Sequence, residues 1–292
     1  MAWLDTNMVS LLDGLAVGAL LFMMAVGLSL IFGLMDVLNL AHGTMFLLGA
    51  YLAYQLTALH LSFVSAALIS LAVGGVLGCG FSYALRPIRR RGHLDQAVLT
   101  LGIALIGAQI FSMIWGDDVY SVAAPVGTAH SMLIAGHDYP VYRLVVIGIG
   151  ATFAILVYLV FQRTNLGATV RAAVADQQMV EALGVNTQRV LLGVFATGAA
   201  LACFAGVIGS PILGVRAGLD DEVLLLALVV VVIGGLGSII GVAAGAIIVG
   251  EVQSLGVVML PKYASFLLFI VMALILVLRP GGIFGRSERR AS

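Results

Sequence analysis

The sequence predicts an all-α polytopic membrane protein, and three observations support this fold class. Of its 292 residues, 62% are hydrophobic and the mean hydropathy is +1.15. Only 10% are charged, against about 25% in an average soluble domain, so a soluble protein of this size could not cover its surface. The 36 glycines are typical of membrane helices, which approach one another closely at small residues.

Charge-free apolar runs define the predicted spans, because a helix needs about 20 apolar residues to cross the hydrocarbon. Residues 37–85 are long enough for two crossings with a turn at 58–62. Residues 223–261 contain one charge, Glu251, and fit two short crossings with a break at 234–241. The other runs are 14–35, 96–116, 144–162, 190–215 and 263–278. We therefore expect nine transmembrane helices, or eight if one segment is re-entrant, in a single transmembrane domain of residues 1–292.

Basic residues predict the orientation, because loops rich in Lys and Arg stay in the cytoplasm. Residues 86–95, 162–190 and 279–292 together contain 11 of the 14 Lys and Arg, and we place them inside. Residues 117–142 contain none, and we place them outside. Counting the spans then puts the N-terminus outside and the C-terminus in the cytoplasm. The net charge of zero gives no indication of nucleic-acid binding.

Three polar side chains, Asp36, Asn39 and His42, interrupt the apolar stretch GLMDVLNLAHGTMFLLGAYLAY. Ionisable groups within the bilayer are costly and usually face a cavity, a pathway or a partner. One interpretation places Asp36 and His42 at the inner interface, where water solvates them. The other is a break between helices at Asn39, His42 and Gly43, which lines a path through the membrane or acts as a hinge beside it.

Glu251 stands in an apolar run, with at least nine uncharged residues on either side. It is either a packing carboxyl, satisfied or near the outer surface, or part of a path through the membrane. In the same run, Gly237, Gly241 and Gly245 recur every four residues. On a helix this spacing forms one face suited to close packing.

The segment ATVRAAVADQQMVEALGVN is predicted to form one short amphipathic helix in the cytoplasm, ended by Gly184. Its expected apolar side consists of Ala172, Met179, Val180 and Leu183. Its expected polar side consists of Arg171, Asp176, Gln177 and Glu181. Such a helix either lies on the lipid surface or docks in a groove of a partner protein. The mixed charge favours the protein partner.

Nothing in the sequence indicates catalysis, so we expect no enzyme. No predicted span carries a nucleophile–base pair, and a phosphate-binding loop of the G-x-x-x-x-G-K type is absent. Cys79 and Cys203 fall in apolar runs and are interpreted as packing residues. His130 and His137 are interpreted as solvated loop residues, so no metal site is expected.

Three stretches resemble the signatures of the branched-chain amino acid ABC transporter permeases of the LivH type. The first signature is matched by Asn39, Ala41, His42, Gly43, Gly49, Ala50 and Tyr51. The second, a variant of the loop that contacts the ATPase, is matched by Ala172, Glu181, Ala182, Leu183, Gly184 and Asn186. The third is matched by Gly234, Gly235, Gly237, Ser238, Gly241, Gly245, Gly250 and Glu251. The Glu-Ala-Ala core of the general ABC loop motif is shortened here to VEALGVN.

The resemblance implies a type II ABC importer-like permease with short or broken helices, in the prokaryotic plasma (inner) membrane. Its implied partners are a second related permease, two ATP-binding subunits and an extracytoplasmic substrate-binding protein. ATP would bind to the partners, so no cofactor is expected in this chain. The implied coupling residues are Arg171, Ala172, Asp176, Glu181, Ala182, Leu183, Gly184 and Asn186.

The substrate that the resemblance implies is a branched-chain or other hydrophobic amino acid. Urea or a short amide is the alternative within the same family, because urea permeases have very similar signatures. A less favoured alternative is a proton-coupled secondary transporter that would use Asp36 or Glu251 and need no ATPase.

Overall fold

The computed structural model describes residues 2–35, 39–88, 92–134 and 136–285. Within these ranges the helices are α1 (Ala2–Met35), α2 (His42–Ala58), α3 (Phe63–Ala84), α4 (His93–Trp115), α5 (Val141–Arg163), α6 (Asn165–Ala175), α7 (Gln177–Ala182), α8 (Thr187–Leu213), α9 (Leu219–Gly234), α10 (Ile239–Met259) and α11 (Ala264–Leu278). A 3-10 turn, Pro261–Tyr263, precedes α11. Strands β1 (Ser131–Ile134) and β2 (His137–Pro140) form an antiparallel hairpin.

Six of the described helices, namely α1, α3, α4, α5, α8 and α10, are long and apolar enough to cross a membrane. A shorter apolar helix covers Phe266–Leu278. The prediction of a helical membrane protein with several crossings is therefore confirmed. The predicted breaks at 58–62 and 234–241 coincide with the α2–α3 and α9–α10 connections.

The helices divide into a buried centre and a periphery. In the apolar window of α1, 78% of the residues are buried inside the protein, and in α8 67% are. The corresponding share is 11% in α4 and 17% in α5. Helices α1 and α8 therefore form the core, whereas α4 and α5 lie at the periphery and expose most of their apolar side chains.

Close backbone contacts at glycines hold the central helices together. A methyl group at Gly49 of α2 would lie 1.9 Å from the carbonyl oxygen of Cys203 in α8. A methyl group at Gly250 of α10 would lie 2.2 Å from the carbonyl oxygen of Gly14 in α1. Only glycine permits these approaches, in agreement with the packing of small residues in membrane bundles.

Aromatic side chains gather at one end of the bundle, which we call the aromatic end. The ring of Tyr51 stacks on that of Trp115 at 4.6 Å, and the rings of Tyr54 and Tyr120 lie 4.3 Å apart. Backbone hydrogen bonds of 2.8 Å join Tyr120 to Val215, so the segments after α4 and α8 meet there. Tyrosine and tryptophan are typical of membrane–water interfaces.

Two features of the fold differ from the sequence prediction. α1 begins at Ala2, well before the predicted start at residue 14, because helical backbone continues past the charged Asp13 at the membrane edge. The β1–β2 hairpin was not predicted, because the segment between α4 and α5 was interpreted only as a loop.

Candidate functional site

The start of α2 lies inside the protein. His42 is fully buried, and its Nε2 lies 3.1 Å from the carbonyl oxygen of Met24 in α1. A carbonyl only accepts, so Nε2 carries the proton and donates it, which leaves Nδ1 as an acceptor in the neutral ring. Nδ1 has no hydrogen-bond partner among the described residues. The interface interpretation, in which water solvates His42, is therefore wrong for this residue. Asp36 lies outside the described residues.

Besides α1, helices α4 and α9 contact the first turn of α2. A methyl group at Gly43 would lie 2.5 Å from the carbonyl oxygen of Asp220 in α9. A methyl group at Gly107 of α4 would lie 2.5 Å from Cγ2 of Thr44. Asn39, just before the helix, is buried, and its Oδ1 has no hydrogen-bond partner in the described part of the chain. The junction is thus an enclosed polar region rather than a solvated loop.

Asp220 belongs to this region, although no sequence motif selected it. It is the first of three consecutive acidic residues that lie between the apolar runs 190–215 and 223–261. Asp220 is only 4% exposed, whereas Asp221 and Glu222 are exposed. Its Oδ1 makes no hydrogen bond within the described ranges. Gly218, with a φ of 81°, precedes α9 directly and is the one sequence signal of a turn next to Asp220.

Glu251 is far from this junction. A methyl group at Gly14 would lie 2.6 Å from Oε2 of Glu251, so the carboxyl packs on the N-terminal half of α1. Gly14 and Met24 are ten residues apart in one helix, which corresponds to about 15 Å. The structure therefore does not bring Glu251 and His42 together.

Of the three glycines predicted to form one face of α10, two lie on that face, Gly241 and Gly245. A methyl group at Gly241 would lie 2.0 Å from the carbonyl oxygen of Gly234, and one at Gly245 would lie 2.5 Å from that of Val230. Both glycines thus face α9. Gly237 was placed on the same helix face, which is wrong, because α10 begins only at Ile239. Gly237 has a φ of 74° and lies in the turn that joins the two helices.

The predicted cytoplasmic helix is two helices, α6 and α7. The break falls at Asp176, whose extended backbone ends α6 and whose Oδ1 accepts a hydrogen bond of 2.9 Å from the Met179 amide. Aspartate favours such a cap over a position within a helix. The prediction of one continuous helix is therefore wrong, whereas Gly184, with a φ of 84°, does end α7 as expected.

The apolar side of the cytoplasmic segment also differs from the prediction. Val180 is buried as expected, but the second buried residue is Ala173 rather than Ala172, which is exposed. Met179 and Leu183 are 57% and 72% exposed. The break at Asp176 changes the helical phase, so residues expected to share one face are divided between two. Three apolar side chains of this part of the chain are exposed, and we call them together the loop surface: Leu166, Met179 and Leu183.

Two other predicted loop residues connect α7 to α8. The carboxyl of Glu181 accepts a hydrogen bond from the Thr187 hydroxyl. Oδ1 of Asn186 accepts a hydrogen bond of 3.2 Å from the Arg189 amide and caps α8. The Glu181–Thr187 hydrogen bond therefore joins α7 to the first turn of α8, one of the two central helices. Arg171 and Ala182 lie in the same segment and are exposed.

Comparison with known proteins identifies similar chains. The family model described as branched-chain amino acid transport system / permease component matches residues 10–276. The high-affinity branched-chain amino acid transport system permease protein LivH of Escherichia coli (strain K12) is 28% identical, over 94% of each chain. The corresponding protein BraD of Pseudomonas aeruginosa is 27% identical, over 95% of each. No solved structure matches the chain.

Proposed function

Because this chain belongs to the family of branched-chain amino acid transport system permease components, we propose that it is the transmembrane permease subunit of an ATP-driven ABC importer. Its substrates on this proposal are branched-chain or other hydrophobic amino acids. The observation that carries the proposal is the family match over residues 10–276, which includes the helix junction, the cytoplasmic segment and the α9–α10 turn. The importer type and the substrate follow from the relatives.

The loop surface is the proposed docking site for the ATP-binding subunits. Met179 and Leu183 expose apolar side chains next to the charged Arg171 and Glu181, a combination that suits a protein groove better than a lipid surface. On this proposal, closure of the ATPase pair moves α7. The Glu181–Thr187 hydrogen bond then passes the movement to α8. A second related permease and an extracytoplasmic binding protein complete the importer.

The proposed topology has nine crossings, with the N-terminus outside and the C-terminus in the cytoplasm of a prokaryotic inner membrane. The distribution of basic residues supports it. Two of the three cations outside the basic segments, Arg143 and Arg216, are ion-paired with Asp13 and Glu222. Pairing reduces the cost of placing a cation on the outer side.

Uptake of radiolabelled leucine tests the proposal. Cells of the native host that lack the gene for this chain are compared with cells complemented by the wild-type gene. We expect the deletion to abolish high-affinity uptake, and the restored uptake to stop when ATP is depleted and to persist when the proton gradient is collapsed. Uptake of urea in place of leucine would support the short-amide alternative, and loss with the proton gradient would support a secondary transporter.

A further inference from the structure

A cavity of about 270 Å³ opens between α1, α5, α8 and α10, beside the hairpin that leads into α5. One wall is charged and is formed by Asp13 and Arg143. The lining also has an apolar part, which includes Ile212, Val257 and Val258. These residues lie in the parts of their helices close to the aromatic end. The cavity is therefore on the side where substrate would arrive in the proposed topology.

The charged wall is accessible to a solute. The Arg143 guanidinium forms an ion pair with the Asp13 carboxylate and joins α5 to α1, yet 33% and 27% of these two side chains remain exposed. Tyr139 is fully buried beside the pair. Burial first, and then the negative charge of Asp13, raise the pKa of its hydroxyl. Tyr139 therefore stays protonated and lies beside the Asp13–Arg143 pair as a neutral group.

A third polar side chain, that of Gln253 in α10, also lines the cavity. Its Oε1 is buried and accepts no hydrogen bond from the described residues. The adjacent Ser254 hydroxyl, in contrast, donates to the carbonyl oxygen of Ser10 at 2.6 Å and is already used. A buried acceptor without a donor is costly, so a ligand that brings donors would remove this cost.

The three groups match the head of an amino acid. An ammonium has only donors and can bind the Asp13 carboxylate and Oε1 of Gln253, while a carboxylate accepts both arms of the Arg143 guanidinium. The Asp13–Arg143 pair and a zwitterion each contain one positive and one negative charge. When the zwitterion binds between them, Asp13 and Arg143 each exchange one oppositely charged partner for another, and no charge is left unpaired. A solute with a single charge, or an uncharged amide, would leave at least one protein charge unpaired, which is costly at a partly buried site.

We propose that this cavity is a binding site for small zwitterions with an apolar side chain, held by Asp13, Arg143 and Gln253. The side chain of the ligand lies against Ile212, Val257 and Val258. This inference rests on the proposed function and deepens it, because it explains how the permease itself would prefer an amino acid to urea.

The test is equilibrium binding of radiolabelled L-leucine to the full chain in lipid nanodiscs. The variant Asp13→Asn/Arg143→Gln keeps hydrogen-bonding groups but removes both charges. A second variant, Ile212→Trp, fills the cavity and keeps the ion pair. The matched control, Arg216→Gln/Glu222→Gln, removes the other ion pair, which does not line the cavity. All variants are first required to be monodisperse.

We expect both cavity variants to weaken leucine binding at least about tenfold and the control to bind like the wild type. Isoleucine should displace the label, whereas 4-methylpentanoate, 3-methylbutylamine and urea should not. Unchanged binding in both cavity variants would overturn the inference. So would a wild-type chain that binds no leucine although cells take leucine up through it. Binding in nanodiscs without uptake in cells would count against the proposed function alone.

Discussion

His42, the first residue of α2, donates a hydrogen bond from Nε2 to the carbonyl oxygen of Met24, 3.1 Å away in α1. Met24 is fully buried and lies well inside α1, so α2 begins within the protein. Non-helical backbone within a membrane is tolerated only where protein or water surrounds it. The histidine ties the first turn of α2 to the central helix.

Replacement of His42 by alanine is expected to destabilise the protein. It removes a buried hydrogen bond and leaves a void between α1 and α2, at a cost of about 1–3 kcal/mol. Thermal unfolding of the purified chain in detergent measures the loss. The control is His130→Ala, since His130 is exposed. Equal unfolding temperatures for the two variants would contradict the role assigned to His42.

Replacement of Gly49 by alanine is expected to separate α2 from α8. The added methyl group would lie 1.9 Å from a backbone carbonyl, so the helices must move apart, at a cost of about 1–3 kcal/mol or more. Gly80→Ala is the matched control, because nothing lies within 4 Å of a methyl group there. Alanine at residue 80 should leave the protein as stable or slightly more so. The yield of folded protein and its unfolding temperature distinguish the two, and a stable Gly49→Ala variant would show that the contact is not required.

Charge placed on the loop surface is expected to prevent capture of the ATP-binding subunits. Leu183→Asp replaces a 72% exposed apolar side chain with a carboxylate, which should reduce co-purification of ATPase at least about tenfold. Leu59→Asp serves as the control, since Leu59 is also exposed, at 62%, but lies in the α2–α3 turn at the opposite side of the proposed topology. Equal capture by both variants would mean that the ATPase docks elsewhere.

Changes at Glu181 should separate coupling from assembly. Glu181→Arg removes the acceptor for the Thr187 hydroxyl, whereas Glu181→Gln keeps an acceptor and removes only the charge. We expect the arginine variant to assemble but to lose uptake, and the glutamine variant to retain most of it. Leucine uptake and ATPase content are measured on the same membranes. Normal transport by the arginine variant would remove the coupling role.

Replacement of Glu251 by glutamine is expected to leave uptake and its pH dependence unchanged. The carboxyl packs against Gly14, and the carboxamide has nearly the same shape. Uptake is measured as a function of external pH in the wild type and the variant. A change in the pH profile would instead support the proton-coupled alternative.

The sequence predicted a helical membrane protein with several crossings, because long apolar runs have few alternatives to a helix in the membrane. The number of crossings stays a prediction, since six of the described helices are long and apolar enough to span a membrane. It predicted less of the candidate site. The break at Asp176 depends on a side-chain cap, and the position of Gly237 depends on where Ser238 caps α10 through a hydrogen bond of 3.1 Å to the Gly241 amide. The spacing of apolar residues along the sequence indicates neither the Asp176 cap nor the Ser238 cap.

The burial of Asp220 could not be predicted either, because it depends on contact between α9 and the start of α2, which are far apart in the sequence. The same holds for the Asp13–Arg143 pair, whose members lie on α1 and α5. In the sequence, Asp13 and Arg143 lie directly before the apolar runs 14–35 and 144–162. That position does not indicate which side chain each of them would contact.

Purification of the tagged chain from its native membrane in mild detergent, with partners identified by mass spectrometry, shows whether the chain is part of an ATP-driven importer. We expect a second, related permease and ATP-binding subunits, with the ATP-binding subunits lost in the Leu183→Asp variant and retained in Leu59→Asp. Recovery of the chain alone, or only with copies of itself, under conditions that preserve a control ABC complex, would contradict the proposal of an ATP-driven importer.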